Sequence, residues 1–278
     1  YEKMVLMREL DHKMLTLLKQ GKGYFHMGCS GHEAAQVAAT YVIESGKDWS
    51  YPYYRDGAYV LGLGLSSREQ LLSFLARADD PCSGGRQMPM HYSKKDLRIV
   101  SQSSATGTQY LQSVGCALSR KLEKNKEIVY VSSGEGTTSQ GDFHEALNWA
   151  SREKAPIIFH IQDNEYAIST HKSEQTAGSV FSLVSGYENL SRFQVDGTDF
   201  FESHLAFKQA AERARKGKGP SVIVSNVVRL MPHSSSDDQR KYRSSEDLEK
   251  DLLRDPILLF KNECIKNKIF SESETIVI

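Results

Sequence analysis

The stretch SSGEGTTSQGDFHEALNWA, residues 132–150, places a glycine turn between two regular elements. The run EIVYVSS, residues 127–133, is typical of a strand, and the apolar residues after the turn recur at helical spacing. A glycine turn between a strand and a helix often binds phosphate, because free N–H groups at the helix start face the anion. This turn carries Glu135, whose negative charge would repel phosphate. The stretch therefore predicts a strand–turn–helix unit in which Glu135 needs a partner of opposite charge.

A divalent cation between Glu135 and a phosphate group would remove this repulsion. The stretch lacks a GxxxxGK[ST] loop, and Ser139 stands where a GxGxxG motif needs its third glycine. Magnesium commonly binds one or two protein carboxylates together with the phosphate oxygens of a ligand. We therefore expect Glu135 to be a magnesium ligand.

A second candidate ligand follows the next apolar run, PIIFHIQ, residues 156–162. Asp163 and Asn164 come directly after this predicted strand, and Asn164 stands 29 residues after Glu135. That spacing accommodates one helix and one strand, so parallel strands would bring both residues to one edge of a sheet, where such sheets bind ligands. A glycine turn or an Asp-Asn pair alone is often only a turn or a loop start. Together they predict a metal and phosphate site.

Strands and helices alternate along most of the chain. The spacing of apolar residues predicts helices over 1–20, 31–44, 66–78, 106–124, 139–153, 199–216 and 245–268. Short apolar runs predict strands over 127–133, 156–162, 192–197 and 220–228. This alternation predicts an α/β fold with a mainly parallel central sheet covered by helices on both faces. We expect a single domain over residues 1–278, with an N-terminal helical segment at 1–50 and a C-terminal helical segment at 245–278.

Composition argues against several classes of protein. Lys and Arg total 35, as do Asp and Glu, so the chain lacks the basic footprint of a nucleic-acid binder. No apolar stretch approaches the length of a membrane span. The four cysteines include no CxxC pair, so they indicate neither a disulfide framework nor a zinc site.

The pairing of GEG at 134–136 with DN at 163–164 resembles the thiamine-diphosphate motif. Nearly the whole chain is similar to the alpha subunit of the decarboxylating component of 2-oxo acid dehydrogenase complexes. The similarity is greatest to the branched-chain type in three stretches, GGRQMPMHY (84–92), SSATGTQ (103–109) and HSSSDDQRKYRS (233–244). The resemblance implies the thiamine-diphosphate-binding fold.

The same resemblance implies a role for each matching residue. Glu135, the Asn164 side chain and the Tyr166 carbonyl would hold magnesium against the diphosphate. His233 would face the reacting end of the cofactor as a proton donor or a stabiliser of developing charge, and it is the candidate catalytic residue. Further contacts to thiamine diphosphate would come from Tyr54, Arg55, Ser104, Gly136 and Thr137. A potassium ion would be held by Ser103, the Ala105 carbonyl, Thr108 and Gln109.

Four departures from the family pattern bear on these roles. Gln162 stands where the family often has an arginine, so we expect one phosphate partner to be lost. Asp163 replaces the first asparagine of the motif, Ala105 and Thr106 replace Pro-Leu, and Pro232 replaces a histidine. These changes spare the metal ligands and bear on cofactor affinity and substrate.

The implied reaction is decarboxylation of a 2-oxo acid on thiamine diphosphate, followed by acyl transfer to a lipoyl group on a partner acyltransferase. A beta subunit would complete the active site, so we expect the chain to be inactive alone and to form an α2β2 assembly. Alpha and beta are fused in some relatives, and a chain that begins with Tyr1 is also compatible with the first half of such a polypeptide. The expected location is the cytoplasm in a bacterium and the mitochondrial matrix in a eukaryote.

Three alternatives stay open. The substrate could be pyruvate or acetoin instead of a branched-chain acid. Gln162 and Asp163 prompt a second hypothesis, a non-catalytic scaffold subunit that only binds the cofactor. The third is an unrelated magnesium-dependent phosphate-ester enzyme, for which Asp142 or Asp163 would supply a second carboxylate.

Overall fold

The computed structural model describes residues 1–275 of the chain. Its helices are α1 (Glu2–Lys19), α2 (Glu33–Thr40), α3 (Gly57–Leu63), α4 (Ser67–Phe74), α5 (Thr108–Leu122), α6 (Gly141–Glu153), α7 (Lys172–Gln175), α8 (Val180–Leu183), α9 (Phe200–Arg215), α10 (Ser245–Leu253) and α11 (Pro256–Lys266). Its strands are β1 (Trp49–Tyr51), β2 (Val129–Gly134), β3 (Ile157–Asp163), β4 (Tyr166–Ala167), β5 (Thr170–His171), β6 (Ser191–Asp196) and β7 (Ser221–Asn226). Short 3-10 turns lie at Lys95–Leu97, Glu135–Ser139, Gln239–Lys241 and Ser273–Thr275.

Five strands form one parallel sheet in the order β1-β2-β3-β7-β6. The register pairs Gly134 with Gln162, and Asp163 with Asn226, so β2, β3 and β7 end at the same edge. The strands β4 and β5 form a separate antiparallel hairpin just after β3. The predicted parallel sheet is confirmed.

Helices cover both faces of the sheet because successive strand residues point to opposite sides. Tyr130, Ile158 and Ile223 pack on the face that carries α1, α2, α3 and α9. Val131 and Phe159 pack on the opposite face against α5 and α6. The central strands are therefore apolar on both sides, which explains the unbroken apolar runs of the sequence.

Most predicted elements are confirmed with small shifts at their ends. The predicted C-terminal helix is divided into α10 and α11, because Asp255 caps a new helix whose first residue is Pro256. Ser66 and Glu69 form a capping box at the start of α4. Within residues 1–275, no helix combines the length and the apolar character needed to cross a bilayer.

Six short elements were absent from the sequence predictions: β1, β4, β5, α3, α7 and α8. The prediction contained neither β1 nor α3, because WSY is too short to show a period and α3 has only seven residues. Helical spacing predicts one apolar face for α5 that includes Val114 and Leu122, but Leu122 is 81% exposed. The helix instead buries Tyr110, Val114 and Ala117 against the sheet, where small side chains allow close approach.

Candidate cofactor site

A cleft of about 370 Å³ opens at the carboxyl ends of β1, β2 and β3. This is the edge at which parallel sheets bind ligands. Most of the site residues predicted from the sequence line it: Tyr54, Arg55, Ser103, Ser104, Gln109, Glu135, Gly136, Thr137, Asn164, Tyr166 and His233. Ala105 and Thr108 are not among the lining residues. Residues from five distant parts of the chain therefore meet in one cleft.

Glu135 begins the 3-10 turn that connects β2 to α6, and its side chain is enclosed by protein. Its Oε2 accepts a hydrogen bond of 3.3 Å from the backbone N–H of Asn164. Burial, together with the nearby charge of Asp163, raises the pKa of Glu135 to about 7. Within residues 1–275 no Lys, Arg or His side chain pairs with this carboxylate, whereas Lys172 pairs with Asp163. A buried carboxylate in this setting fits a bound cation.

The remaining donors for such a cation are an amide oxygen and a backbone carbonyl. Oδ1 of Asn164 accepts a hydrogen bond of 3.2 Å from the backbone N–H of Tyr166, which fixes the plane of the amide. In the part of the chain that the structure describes, no three His, Cys, Asp or Glu side chains converge on one point. A metal here would therefore depend on mixed oxygen donors, the set that magnesium prefers.

Gly136 is required by close packing with the β4–β5 hairpin. A Cβ atom at this position would lie 2.6 Å from Cβ of Ala167, closer than two such atoms can approach. The turn is a 3-10 helix, and α6 begins only at Gly141. Gly136 and Thr137 therefore lie in the turn before α6, and both residues line the cleft.

Arg55 brings a buried positive charge to the cleft. Its Nη1 donates to the carbonyl of Gly28 at 2.6 Å, and its Nη2 lies 3.3 Å from Nδ1 of His233 and 3.2 Å from the carbonyl of the same residue. No carboxylate of residues 1–275 forms an ion pair with this guanidinium. A buried guanidinium with only neutral partners fits an anionic ligand such as a diphosphate.

His233 is neutral over the physiological range. Burial lowers its pKa to about 3, and the positive charges of Arg55 and Arg229 act in the same direction. Its backbone N–H donates to Asp237 at 2.8 Å, which holds the loop that carries it. Since Nδ1 accepts from Arg55, the proton of the neutral ring is on Nε2.

The loop expected to bind potassium is closed by its own hydrogen bonds. The N–H of Ala105 donates to Oγ of Ser103 at 3.0 Å, and the hydroxyl of Thr108 donates to the Ala105 carbonyl at 3.2 Å. Oε1 of Gln109 accepts from the N–H of Gly107 at 3.1 Å. The predicted oxygen donors thus lie in the loop before α5 and in the first two residues of that helix.

Ser104, from the same loop, lies against a histidine that the sequence analysis left unassigned. Its hydroxyl is 2.7 Å from Nε2 of His91, which is buried and also lines the cleft. His91 belongs to the stretch GGRQMPMHY (84–92), one of the three that resemble the branched-chain type.

Gln162 lies in the protein beneath the cleft and does not line it. Its Oε1 accepts from Nδ1 of His32 at 2.8 Å and from Nε2 of Gln36 at 2.9 Å, while its own Nε2 donates to Asp56 at 2.6 Å. The side chain therefore reaches the cleft only through neighbours such as His32, whose Nε2 lies 3.3 Å from Nδ2 of Asn164. The sequence pattern identified the substitution at this position but not these partners.

Arg229 is a further buried arginine that the sequence did not identify as a candidate site residue. It is buried, donates to the Ile168 carbonyl at 3.0 Å and to the hydroxyl of Tyr242 at 2.7 Å, and lies over the ring of Tyr166. Burial and the charge of Arg55 lower its pKa. Its position three residues after β7, at the same sheet edge, is the signal that could have identified it.

These features define a cofactor-binding α/β protein, and comparison with known proteins gives its family. The family model described as dehydrogenase E1 component matches residues 1–277. The chain is 42% identical over 262 residues to the 2-oxoisovalerate dehydrogenase subunit alpha of Bacillus subtilis, an alignment that covers 94% of this chain and 79% of that protein. The chain belongs to the family of dehydrogenase E1 components.

Two more distant relatives agree with this assignment. A 2-oxoisovalerate dehydrogenase subunit alpha of Pseudomonas aeruginosa is 35% identical over 272 residues, which cover 98% of this chain and 66% of that protein. A pyruvate dehydrogenase E1 component subunit alpha of Staphylococcus aureus is 34% identical over 268 residues, covering 96% and 69%. Membership of the family implies dependence on thiamine diphosphate.

Proposed function

We propose that this chain is the alpha part of a branched-chain 2-oxo acid dehydrogenase and holds the diphosphate end of thiamine diphosphate through magnesium. The observation that carries the proposal is the contact between Glu135 and Asn164 at neighbouring strand ends. Their oxygens and the buried Arg55 guanidinium provide complementary charges for a cation and a diphosphate. Two relatives named 2-oxoisovalerate dehydrogenase subunit alpha support the branched-chain substrate.

Different residues of the cleft would bind the metal and the diphosphate. Thiamine diphosphate supplies, when bound, the stabilised carbanion on which 2-oxo acids lose carbon dioxide. Glu135, the Asn164 side chain and the Tyr166 carbonyl would hold magnesium, and Arg55 would contact the diphosphate. Gly136 keeps the Glu135 turn close to the β4–β5 hairpin.

The remaining residues would act nearer to the substrate or order the cleft. His233, neutral and protonated at Nε2, would donate a hydrogen bond to negative charge that develops near the reacting carbon. Tyr54, Ser104 and Thr137 would contact the cofactor. The loop of Ser103, Ala105, Thr108 and Gln109 would order around potassium.

The chain would work as part of a larger assembly. A beta subunit, separate or fused, would complete the active site, and an α2β2 arrangement would pass the acyl group to a lipoyl-bearing acyltransferase. The cytoplasm of a bacterium, or the mitochondrial matrix of a eukaryote, would supply these partners.

Calorimetry of thiamine diphosphate binding, with and without magnesium, tests the proposal. The holoenzyme with its beta subunit should bind the cofactor in a magnesium-dependent manner, and Glu135→Gln should lose most of that dependence because a neutral amide is a weaker ligand. Glu145→Gln, at an exposed position of α6 that does not line the cleft, is the matched control and should bind as the wild type does. Binding that ignores magnesium would refute the proposed site.

A panel of 2-oxo acids tests the substrate. Branched-chain acids should give the highest kcat/KM, measured by carbon dioxide release. Pyruvate is the second candidate, because the Staphylococcus aureus relative is named pyruvate dehydrogenase. A preference for pyruvate would leave the cofactor site standing and overturn only the substrate.

A further inference from the structure

The amide of Asn164 has two chemically different ends, and only one of them can bind a cation. Oδ1 is a metal ligand, whereas Nδ2 is a hydrogen-bond donor that would repel the ion. In the structure Nδ2 lies 3.3 Å from Nε2 of His32, a residue that is completely buried. The orientation of Asn164 therefore depends on whether His32 offers a lone pair or a proton at Nε2.

A series of buried hydrogen bonds that begins at Gln36 determines which ring nitrogen of His32 carries the proton. Oε1 of Gln36 accepts from the backbone N–H of Ala58 at 3.0 Å, so the other end of this amide is its nitrogen. That nitrogen donates to Oε1 of Gln162 at 2.9 Å. The same Oε1 lies 2.8 Å from Nδ1 of His32, which must therefore carry the proton. Nε2 is left with a lone pair for Asn164.

Two independent contacts fix the same polarity. Nε2 of Gln162 donates to Oδ1 of Asp56 at 2.6 Å, and reversing this amide would turn its NH2 group toward the NH2 group of Gln36, so that two donors would face each other. At the far end, the backbone N–H of Tyr166 donates to Oδ1 of Asn164 at 3.2 Å. Backbone donors at both ends thus specify one direction for every hydrogen bond between them.

We propose that Gln162 and His32 are positioning residues that set the tautomer of His32 and thereby turn Oδ1 of Asn164 toward the metal. The inference rests on the proposed magnesium site and goes beyond it by assigning a task to the glutamine that replaces the family's arginine. In this chain residue 162 contributes no positive charge and instead controls the orientation of the Asn164 amide. Partners of this kind, one bond removed from a metal ligand, typically change metal affinity by about 10–100-fold.

A double-mutant cycle separates orientation from general damage. Gln162→Met keeps much of the side-chain volume but removes the acceptor for Nδ1 of His32. The ring can then move its proton to Nε2, which favours the reversed amide of Asn164. In the holoenzyme, saturated with thiamine diphosphate, we expect the dissociation constant of magnesium, measured by calorimetry, to rise about 10–100-fold.

The same substitution should behave differently when residue 164 has oxygen at both ends. In an Asn164→Asp background either end of the side chain at 164 can bind the metal, so its orientation no longer matters. A proton on Nε2 of His32 would then donate a hydrogen bond to that carboxylate. Gln162→Met should then leave magnesium affinity unchanged or strengthen it. Loss of affinity to the same extent in both backgrounds, or no loss beside Asn164, would overturn the inference.

A matched control and a spectroscopic readout complete the test. Gln209→Met makes the same chemical change at an exposed position of α9 that does not line the cleft, and should retain wild-type magnesium affinity. Solid-state ¹⁵N spectra of histidine-labelled holoenzyme should show His32 protonated at Nδ1, with the signal identified by its loss in His32→Gln. Protonation at Nε2 would contradict the inference even if magnesium binds. A wild type without magnesium-dependent cofactor binding would instead refute the proposed function, and the inference with it.

Discussion

Nη2 of Arg55 lies 3.3 Å from Nδ1 of His233, which joins the predicted anion contact to the predicted catalytic residue. Arg55 follows β1 and His233 follows β7, so the contact crosses the top of the sheet between distant strands. One guanidinium can therefore bind a diphosphate and hold the histidine as its Nε2–H tautomer.

Replacing Arg55 with lysine should weaken thiamine diphosphate binding. Lysine keeps the charge but has one nitrogen in place of a planar fork, so it cannot contact Gly28, His233 and a diphosphate together. The loss of a hydrogen bond to a charged group costs about 1.5–3 kcal/mol, which corresponds to about tenfold to hundredfold in affinity. Calorimetry with the holoenzyme measures this change.

Arg152→Lys is the control for that substitution, because the Arg152 side chain is 70% exposed on α6. It should leave cofactor affinity unchanged. Equal affinities for Arg55→Lys and the wild type would show that the diphosphate does not use the guanidinium fork.

Gly136→Ala should destabilise the turn that carries Glu135. The added methyl group would lie 2.6 Å from Cβ of Ala167, and relief of such overpacking typically costs about 1–3 kcal/mol. The turn would move away from the β4–β5 hairpin, so magnesium affinity should fall with stability. Urea denaturation and calorimetry measure the two effects.

Replacing Ala167 with glycine would remove the clash with a methyl group at position 136. Gly136→Ala combined with Ala167→Gly should recover magnesium affinity, because the conflicting Cβ atom is gone. Gly141→Ala is the control, since a Cβ at this first residue of α6 would meet no atom within 4 Å. If the double variant binds magnesium no better than Gly136→Ala, steric conflict is not the cause.

The sequence predicted the parts of the site that belong to long elements. Glu135 and Asn164 could be placed together because β2 and β3 are clear apolar runs, α6 has a clear helical period, and parallel strands bring their ends to one edge. Arg55 could be assigned only by resemblance, since β1 has three residues and no period. Arg229 follows a predicted strand and could have been found by the same rule.

The buried polar network was beyond prediction for a different reason. His32, Gln36 and Asp56 are separated by up to 130 residues from Gln162, and no local pattern distinguishes a buried hydrogen-bonded histidine from an exposed one. Their roles depend on packing between α2, α3 and the sheet. Only the three-dimensional structure brings these contacts together.

Asp56 should make stability depend on pH. Burial raises its pKa to about 7, against hydrogen bonds from Ser132, Gln162 and the backbone of Tyr53 that favour the charged form. The folded chain therefore keeps a proton that the unfolded chain releases above its ordinary pKa near 4. Stability contributed by Asp56 falls as pH rises from about 4 to about 7, and each pKa unit corresponds to about 1.4 kcal/mol.

Asp56→Asn removes this titration while keeping the shape of the protonated side chain. The variant should gain stability relative to the wild type as pH rises through this range, in urea denaturation series at several pH values. Subtraction of the two series isolates Asp56 from the histidines that titrate in the same interval. A constant difference between pH 4 and pH 8 would show that Asp56 is ionised in the folded chain.

Asp237 should hold the loop of His233 closed. Its Oδ2 accepts from the backbone N–H of His233 at 2.8 Å and from the hydroxyl of Tyr242 at 2.6 Å. Asp237→Ala removes both hydrogen bonds, each with a typical net contribution of about 1 kcal/mol. The population of the open loop should rise about tenfold or more, and trypsin should cleave after Arg240 or Lys241 correspondingly faster, because cleavage follows the open fraction when reclosing is fast.

Ser236→Ala is the control for this loop, since its hydroxyl contacts only the hydroxyl of Ser234, at 3.0 Å. Its cleavage rate should match the wild type, as should its thermal unfolding. Asp237→Ala should also lower kcat while leaving thiamine diphosphate affinity nearly unchanged, because Arg55 and Glu135 remain in place when His233 moves. A fall in cofactor affinity as large as the fall in kcat would mean that the loop supports the diphosphate site itself and does more than position His233.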